Sequence, residues 1–164
     1  MARLFLAVWP PDEVVGELRA LHRKDRRGMR FITPDRWHIT LRFLGEAIPD
    51  DVVAVMRDVP GPTTARLGPA VDVVGERVLA IPVTGLDDVA TTVTRWTRDI
   101  GERPPRRPFR GHLTIARIKP FADLSPTVGA LFDASFAVEE VALVQSRLEP
   151  AGARYETLET WSVG

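Results

Sequence analysis

The sequence of 164 residues predicts an α+β protein built from two similar halves. The main observation is a repeated tetrad of alternating residues, since residues 38–41 are His-Ile-Thr-Leu and residues 112–115 are His-Leu-Thr-Ile. A second observation is that 34 residues separate an apolar run at Leu4 from the first tetrad, and the same 34 separate one at Val78 from the second. Alternation is typical of strands, so the His and Thr of each tetrad should share one face.

The elements of the first half follow in order. Residues 3–8 predict a strand, and a helix should begin at Asp12, where acidic residues occupy the first turn. The first tetrad strand comes next, followed by a short helix over residues 49–58. A Pro-Gly-Pro break at 60–62 then precedes a strand near residues 65–74.

The second half repeats this order. Residues 77–83 predict a strand and residues 86–100 a helix, and the second tetrad strand follows. A short helix is expected near residues 125–132. The chain should end in a hairpin whose strands span about 135–148 and 154–161.

These elements predict a single bilobal domain over residues 1–164, with approximate repeats 1–75 and 76–164 related by a pseudo-twofold axis. Two largely antiparallel sheets should line a central cleft, with the helices outside. Such an axis would bring the two tetrad strands face to face.

Composition limits the classes of function. There is no cysteine, which excludes disulfides, thiolate metal sites and a cysteine nucleophile. The formal net charge is zero, so no global field draws the molecule to nucleic acid or to a membrane. No apolar run is long enough to span a bilayer. We therefore expect a soluble cytoplasmic protein, and a monomer because the duplication supplies internally what a dimer would.

The tetrads carry the chemistry. An imidazole titrates near neutrality, so of two facing histidines one can act as a base while the other acts as an acid. Threonine hydroxyls beside them can donate to the non-bridging oxygens of a phosphodiester as charge develops there. Two alternatives are a zinc site and purely structural histidines and threonines in a sheet. The zinc set would be poor, and the matched duplication favours acid–base catalysis over both.

The chain resembles the two-histidine phosphoesterases over essentially its whole length. The resemblance lies in residues 3–7, 38–45 and 109–117, in Ser146-Arg147-Leu148, and in Gly152 and Tyr155. Within that superfamily it is similar to the bacterial and archaeal 2'-5' RNA ligase group, also called RNA 2',3'-cyclic phosphodiesterases.

This resemblance implies a bilobal fold, no metal or other cofactor, and hydrolysis of a terminal 2',3'-cyclic phosphate to a 2'-phosphate. By position, His38 matches the proton donor to the leaving 3' oxygen, and His112 matches the base that activates water. Thr40 and Thr114 match the phosphate-binding hydroxyls, and Arg117 matches an arginine that contacts the phosphate.

Further candidates are expected to bind the substrate more weakly. Alternation places Arg117 on the wrong face, so a bulge or a strand end would be needed to turn it inward. Arg42 has the right parity to reach a neighbouring nucleotide, and the alternative is a solvated arginine. Phe5 matches an aromatic residue near the base, and the other aromatic candidates are Trp37, Phe109 and Tyr155. Trp9, Phe43 and Trp96 are expected in the core.

The expected partners are RNA ends, tRNA halves among them, or small cyclic nucleotides. Alternatives are the same machinery acting on another cyclic phosphate, reversible 2'-5' ligation of RNA, and a non-catalytic RNA-binding module. Two basic stretches, at residues 19–30 and 98–110, should flank the cleft and attract a phosphate backbone. The third histidine, His22, has no threonine partner and is expected at the surface.

Overall fold

The structure is a computed structural model that describes residues 1–21, 23–125 and 127–164. The elements are β1 (Ala2–Val8), α1 (Asp12–Arg19), β2 (Met29–Phe31), β3 (Ile39–Ala47), α2 (Pro49–Val55), β4 (Thr64–Leu67), β5 (Asp72–Val74), β6 (Val78–Thr84), α3 (Asp87–Thr97), β7 (His112–Ile118), β8 (Ala134–Ala137), β9 (Glu140–Glu149) and β10 (Gly152–Ser162). A 3-10 turn at Pro34–Arg36 leads into the first tetrad. The predicted position of His22 lies outside the described residues.

The strands form a curled antiparallel sheet in the order β10-β9-β1-β3-β7-β6-β4-β8, with β2 added on β7 and β5 on β6. This architecture confirms the predicted α+β class. At the middle, β3 and β7 share the single register pair Ile39 with Leu113. The sheet is therefore almost divided into two halves at the point where the tetrads meet.

The strand order is symmetric about this midpoint. β3 corresponds to β7, β1 to β6, and β9 to β4. Each half of the sheet also draws strands from both halves of the chain, because β4 pairs with β6 and β9 pairs with β1. The two halves of the chain thus exchange strands.

β1 lies between β3 and β9, and its residues Leu4–Val8 are buried on both faces by two apolar clusters. Leu4, Leu6 and Val8 face the main hydrophobic core. Phe5 and Ala7 face the other way, into a smaller cluster with residues of β9. This second cluster lies beside the first tetrad, because Phe5 contacts the ring of His38.

The helices cover the main core. α1 buries Val14 and Leu18, and α3 buries Val89, Ala90 and Val93 at the spacing of one helical face. Acidic residues lie in the first turn of each helix, as the sequence predicts. Within the described residues, no helix is long and apolar enough to cross a membrane.

Several predicted elements differ from the structure. The predicted strand at 65–74 is two strands, β4 and β5, separated at Gly68-Pro69. The predicted first hairpin strand at 135–148 is also two, because β8 pairs with β4 while β9 pairs with β1. No helix occurs among the described residues of the segment 125–132, which forms turns. β2 and the 3-10 turn were not predicted.

Candidate active site

The junction of β3 and β7 places the two tetrads side by side. Ile39 and Leu113 pair across it and are both fully buried, so their neighbours along each strand face the other side of the sheet. Continuing this antiparallel register sets His38 across from Thr114 and Thr40 across from His112. All four of these side chains are partly buried. The sheet thus presents two imidazoles and two hydroxyls at one place.

The backbone holds the ring of His38. Its Nδ1 lies 2.8 Å from the carbonyl oxygen of Arg36. A carbonyl only accepts, so Nδ1 carries the proton and donates it. In the neutral ring, Nε2 is then an acceptor, and the Thr40 hydroxyl donates to it at 3.1 Å.

The ring of His112 is held in the same way. Its Nδ1 donates to the carbonyl oxygen of Arg110 at 2.8 Å. In both tetrads, the accepting carbonyl belongs to the residue two positions before the histidine. In each ring, Nε2 is the nitrogen that makes no bond to this carbonyl. Side-chain pattern carries no signal for a backbone acceptor, so sequence reasoning missed it.

The pKa of His38 is lowered from its usual value. Burial is the main cause, because it disfavours the charged ring. The hydrogen bond to the Arg36 carbonyl opposes this shift, while the positive charges of His112 and Arg117 add to it. Because its pKa lies below the usual 6.5, the ring of His38 is mainly neutral near pH 7.

A β-bulge turns Arg117 toward the tetrads. Thr114 pairs with Ala80, but Ala116 pairs with Leu79, so Ile115 is the extra residue in β7. The bulge shifts the alternation by one and puts Arg117 on the face of Thr114. The bulge expected from the sequence is therefore present.

A second bulge has the opposite effect on Arg42. Thr40 pairs with Ala7, but Arg42 pairs with Leu6, so Leu41 is extra in β3. Arg42 therefore faces the core and is 3% exposed. The prediction that it contacts a neighbouring nucleotide was wrong, because parity counted along an unbroken strand misses the bulge.

Aromatic side chains surround the ring of His38. The centroid of Phe5 lies 4.8 Å from the imidazole, that of Tyr155 5.2 Å and that of Trp9 5.6 Å. Trp9 also donates to the Thr157 hydroxyl at 3.1 Å. The structure brings the candidates Phe5 and Tyr155 together beside the first tetrad. It adds Trp9, which was expected in the core because it follows the apolar run of β1.

The positions of three other aromatic residues differ from those predicted: Trp37, Phe109 and Phe43. Trp37 is 1% exposed in the main core, so the prediction that it contacts substrate was wrong. Phe109 is partly buried and packs against the same core. Phe43, expected in the core, is partly buried in the cluster of Phe5 and lies under the guanidinium of Arg3.

The described residues contain no group of three or more His, Asp or Glu side chains arranged to hold a metal ion. The donors that the site offers are imidazole nitrogens, hydroxyls and a guanidinium, which suit a phosphate anion.

A fold that sets two His-x-Thr tetrads side by side defines a two-histidine phosphoesterase, and comparisons with known proteins agree. Residues 8–65 match the family described as LigT like Phosphoesterase. Over 98% of its length the chain is 33% identical to an RNA 2',3'-cyclic phosphodiesterase of Thermus thermophilus, covering 90% of that protein. It is 30% identical over 98% of its length to the Escherichia coli protein of the same name, covering 96% of it.

Solved structures show the same likeness. The crystal structure of E. coli LigT complexed with 3'-AMP has a TM-score of 0.78 and 26% identity, with 99% of this chain and 98% of that chain covered. That protein has also been crystallised with ATP and with phosphate. The present chain belongs to the LigT-like phosphoesterase family, as its resemblance to the two-histidine phosphoesterases implies.

Proposed function

We propose that this protein hydrolyses the 2',3'-cyclic phosphate at an RNA end, or on a small nucleotide, to a 2'-phosphate. The observation that carries the proposal is the pair of histidines at the β3–β7 junction, each fixed through Nδ1 and each two residues from a threonine. The names of the T. thermophilus and E. coli relatives support the substrate class.

In this mechanism, His112 accepts a proton from water while the water oxygen attacks phosphorus. The bond from phosphorus to the 3' oxygen breaks, and protonated His38 donates its proton to that oxygen. Thr40, Thr114 and Arg117 stabilise the charge that develops on the non-bridging oxygens. The products are a 2'-phosphate and a 3'-hydroxyl, and proton exchange with solvent restores both rings.

This assignment requires that substrate binding favour the protonated form of His38. The lowered pKa leaves that ring mainly neutral near pH 7, whereas the donor must enter the reaction protonated. A phosphate anion bound beside the ring favours its charged form and raises the pKa. His38 would therefore become protonated when the substrate binds.

Two other activities use the same groups. In 2'-5' ligation, the 5'-hydroxyl of a second RNA would replace water, forming a bond to phosphorus as the bond to the 3' oxygen breaks. Another cyclic phosphate would fit the same acid–base pair. A non-catalytic RNA-binding module needs no such pair, so the two held histidines favour an enzyme over that alternative.

The test is turnover of a nucleoside 2',3'-cyclic phosphate in excess EDTA, with the product isomer identified by phosphorus NMR. We expect the 2'-phosphate and a bell-shaped dependence of kcat/KM on pH. A 3'-phosphate product would exchange the roles of the two histidines. RNA binding without turnover would contradict the proposal, and so would a requirement for added metal.

We also propose that residues 1–75 and 76–164 are two repeats of one bilobal domain. The symmetric strand order and the matched histidine contacts support this. The cytoplasmic location and the monomeric state stay predictions.

A further inference from the structure

A strongly basic cavity adjoins the site. Its volume is about 560 Å³, and it is lined by five cationic side chains and one acidic one: Arg26, Arg30, Arg77, Arg117, Lys119 and Asp25. Arg117 belongs to both places, because its bulge puts it on the tetrad face and its side chain lines the cavity. Arg117 therefore links the cavity to the proposed phosphate site.

The backbone brings these cations together. β2 and β6 flank β7, with Arg30 and Val78 on either side of Arg117. The Ile118 amide donates to the carbonyl of Arg77 at 2.9 Å, and the Lys119 amide donates to the carbonyl of Gly28 at 2.7 Å. Three chain segments that are distant in sequence thus place their basic residues around one opening.

The concentration of charge is costly without an anion. Arg30 lies directly opposite Arg117 on adjacent strands, and like charges in that position destabilise a sheet. In the described part of the chain, none of the five cations has a carboxylate oxygen within the 4.0 Å of an ion pair. The carboxylate of Asp25 accepts the Phe31 amide at 2.8 Å. A bound polyanion would relieve this repulsion.

We propose that the cavity binds the backbone phosphates that precede the cyclic-phosphate nucleotide, so that an oligonucleotide is a better substrate than a mononucleotide. The inference rests on the proposed function, since it extends the same RNA end from the tetrads past Arg117. Phe121 lies at the rim, is 62% exposed and has the guanidinium of Arg27 5.1 Å from its ring. Such a surface suits an unstacked base.

The experiment compares a nucleoside 2',3'-cyclic phosphate with a trinucleotide that ends in the same cyclic phosphate. For the wild type we expect a higher kcat/KM on the trinucleotide, and an advantage that shrinks as salt rises. The double variant Arg30→Ala/Arg77→Ala should lose about tenfold in kcat/KM on the trinucleotide, the loss expected for one or two charge-assisted contacts. Its kcat/KM on the mononucleotide should not change.

Arg66→Ala/Arg154→Ala is a matched control, because it removes two exposed arginines from β4 and β10 and should leave both substrates unaffected. The inference is wrong if Arg30→Ala/Arg77→Ala lowers both substrates equally or neither. It is also wrong if that variant loses ATP binding while the trinucleotide keeps its advantage, since the cavity would then serve free nucleotides.

Failure of the proposed function is seen separately, as absence of turnover of the mononucleotide by the wild type. In that case, fluorescence anisotropy with a labelled trinucleotide 2'-phosphate still tests the cavity. Weaker binding by Arg30→Ala/Arg77→Ala than by the control variant would support it, and equal binding would overturn it.

Discussion

Two histidines are fixed by their own backbone in this protein. Each Nδ1 donates to the carbonyl two residues earlier, at 2.8 Å in both tetrads. One hydrogen bond of this kind sets both the tautomer and the direction of the ring, and in each case it leaves Nε2 facing away from that carbonyl. The rings differ in their surroundings, because aromatic side chains pack around His38 and lower its pKa by burial.

Loss of either imidazole should reduce catalysis strongly. We expect His38→Ala and His112→Ala each to lower kcat on a nucleoside 2',3'-cyclic phosphate by about 10²–10⁴-fold, the range for loss of a general acid or base. Steady-state kinetics measures the change, and far-UV circular dichroism checks the fold. His22→Ala is the matched control and should keep wild-type kcat. Wild-type turnover by either tetrad variant would refute its catalytic role.

Stability should depend on pH through His38. Its pKa is lowered in the folded state, so the unfolded chain binds a proton more readily. The free energy of unfolding should therefore be constant above the unfolded pKa of about 6.5 and fall as pH drops below it. Urea titrations from pH 8 to pH 5 measure this.

The variant His38→Asn isolates that contribution. It removes the titrating group, so its free energy of unfolding should fall less than that of the wild type below about pH 6.5. Above that pH the difference between the two proteins should stay constant. An equal slope in both would mean that other groups cause the dependence.

The tetrads were predictable at this scale because strand alternation is a local property. His38, Thr40, His112 and Thr114 form one group from their pattern alone. Arg42 and Arg117 were not predictable in the same way, since each follows a bulge that reverses the alternation. A bulge depends on the partner strand, so a single strand's sequence does not reveal which face the next residue takes.

Because of the bulge in β3, the side chain of Arg42 connects the sheet to the end of α3. Its guanidinium donates to the carbonyls of Phe43 and Glu102, each at 2.7 Å, and to that of Ile100 at 3.1 Å. It also bonds Thr97 at the end of α3. One buried side chain thus satisfies carbonyls where the helix ends and ties them to the sheet.

Arg42→Leu should therefore destabilise the fold without weakening substrate binding. It leaves one buried and three partly buried carbonyls without this donor, at a cost of about 2–4 kcal/mol in the free energy of unfolding. Urea unfolding measures this loss, while KM for the mononucleotide should stay near the wild-type value. Arg66→Leu, an exposed arginine in β4, is the control and should change stability little. A raised KM with unchanged stability would restore the nucleotide-contact prediction.

Elements with a local signal were predicted well. β1 and β6 are continuous apolar runs, whereas α1 and α3 carry an apolar helical period and acidic first turns. The segment near 125–132 is apolar and short, and it forms turns where its described residues lie, because Val71 fixes its backbone through Ala130 and Gly129. β8 was merged with β9 in the prediction, since only its distant partner β4 distinguishes the two.

The exchange of strands makes the two halves of the molecule depend on each other. β9 completes the sheet that contains β1, and β4 completes the sheet that contains β6. Sequence periodicity predicted the repeat but gave no sign of this exchange, because strand partners far apart in the chain leave no local pattern. Each half of the site therefore depends on strands from both halves of the chain.

The whole chain should then unfold as one unit. Two probes report on different halves: Trp37 is buried in the first, and Trp96 is partly buried on α3 in the second. In variants that keep only Trp37 or only Trp96, we expect the urea midpoint by fluorescence to coincide with that variant's own midpoint by circular dichroism. Fragments 1–75 and 76–164 should each lack a folded spectrum alone. A fragment that folds by itself, or fluorescence that departs from circular dichroism, would show that the halves are independent despite the exchanged strands.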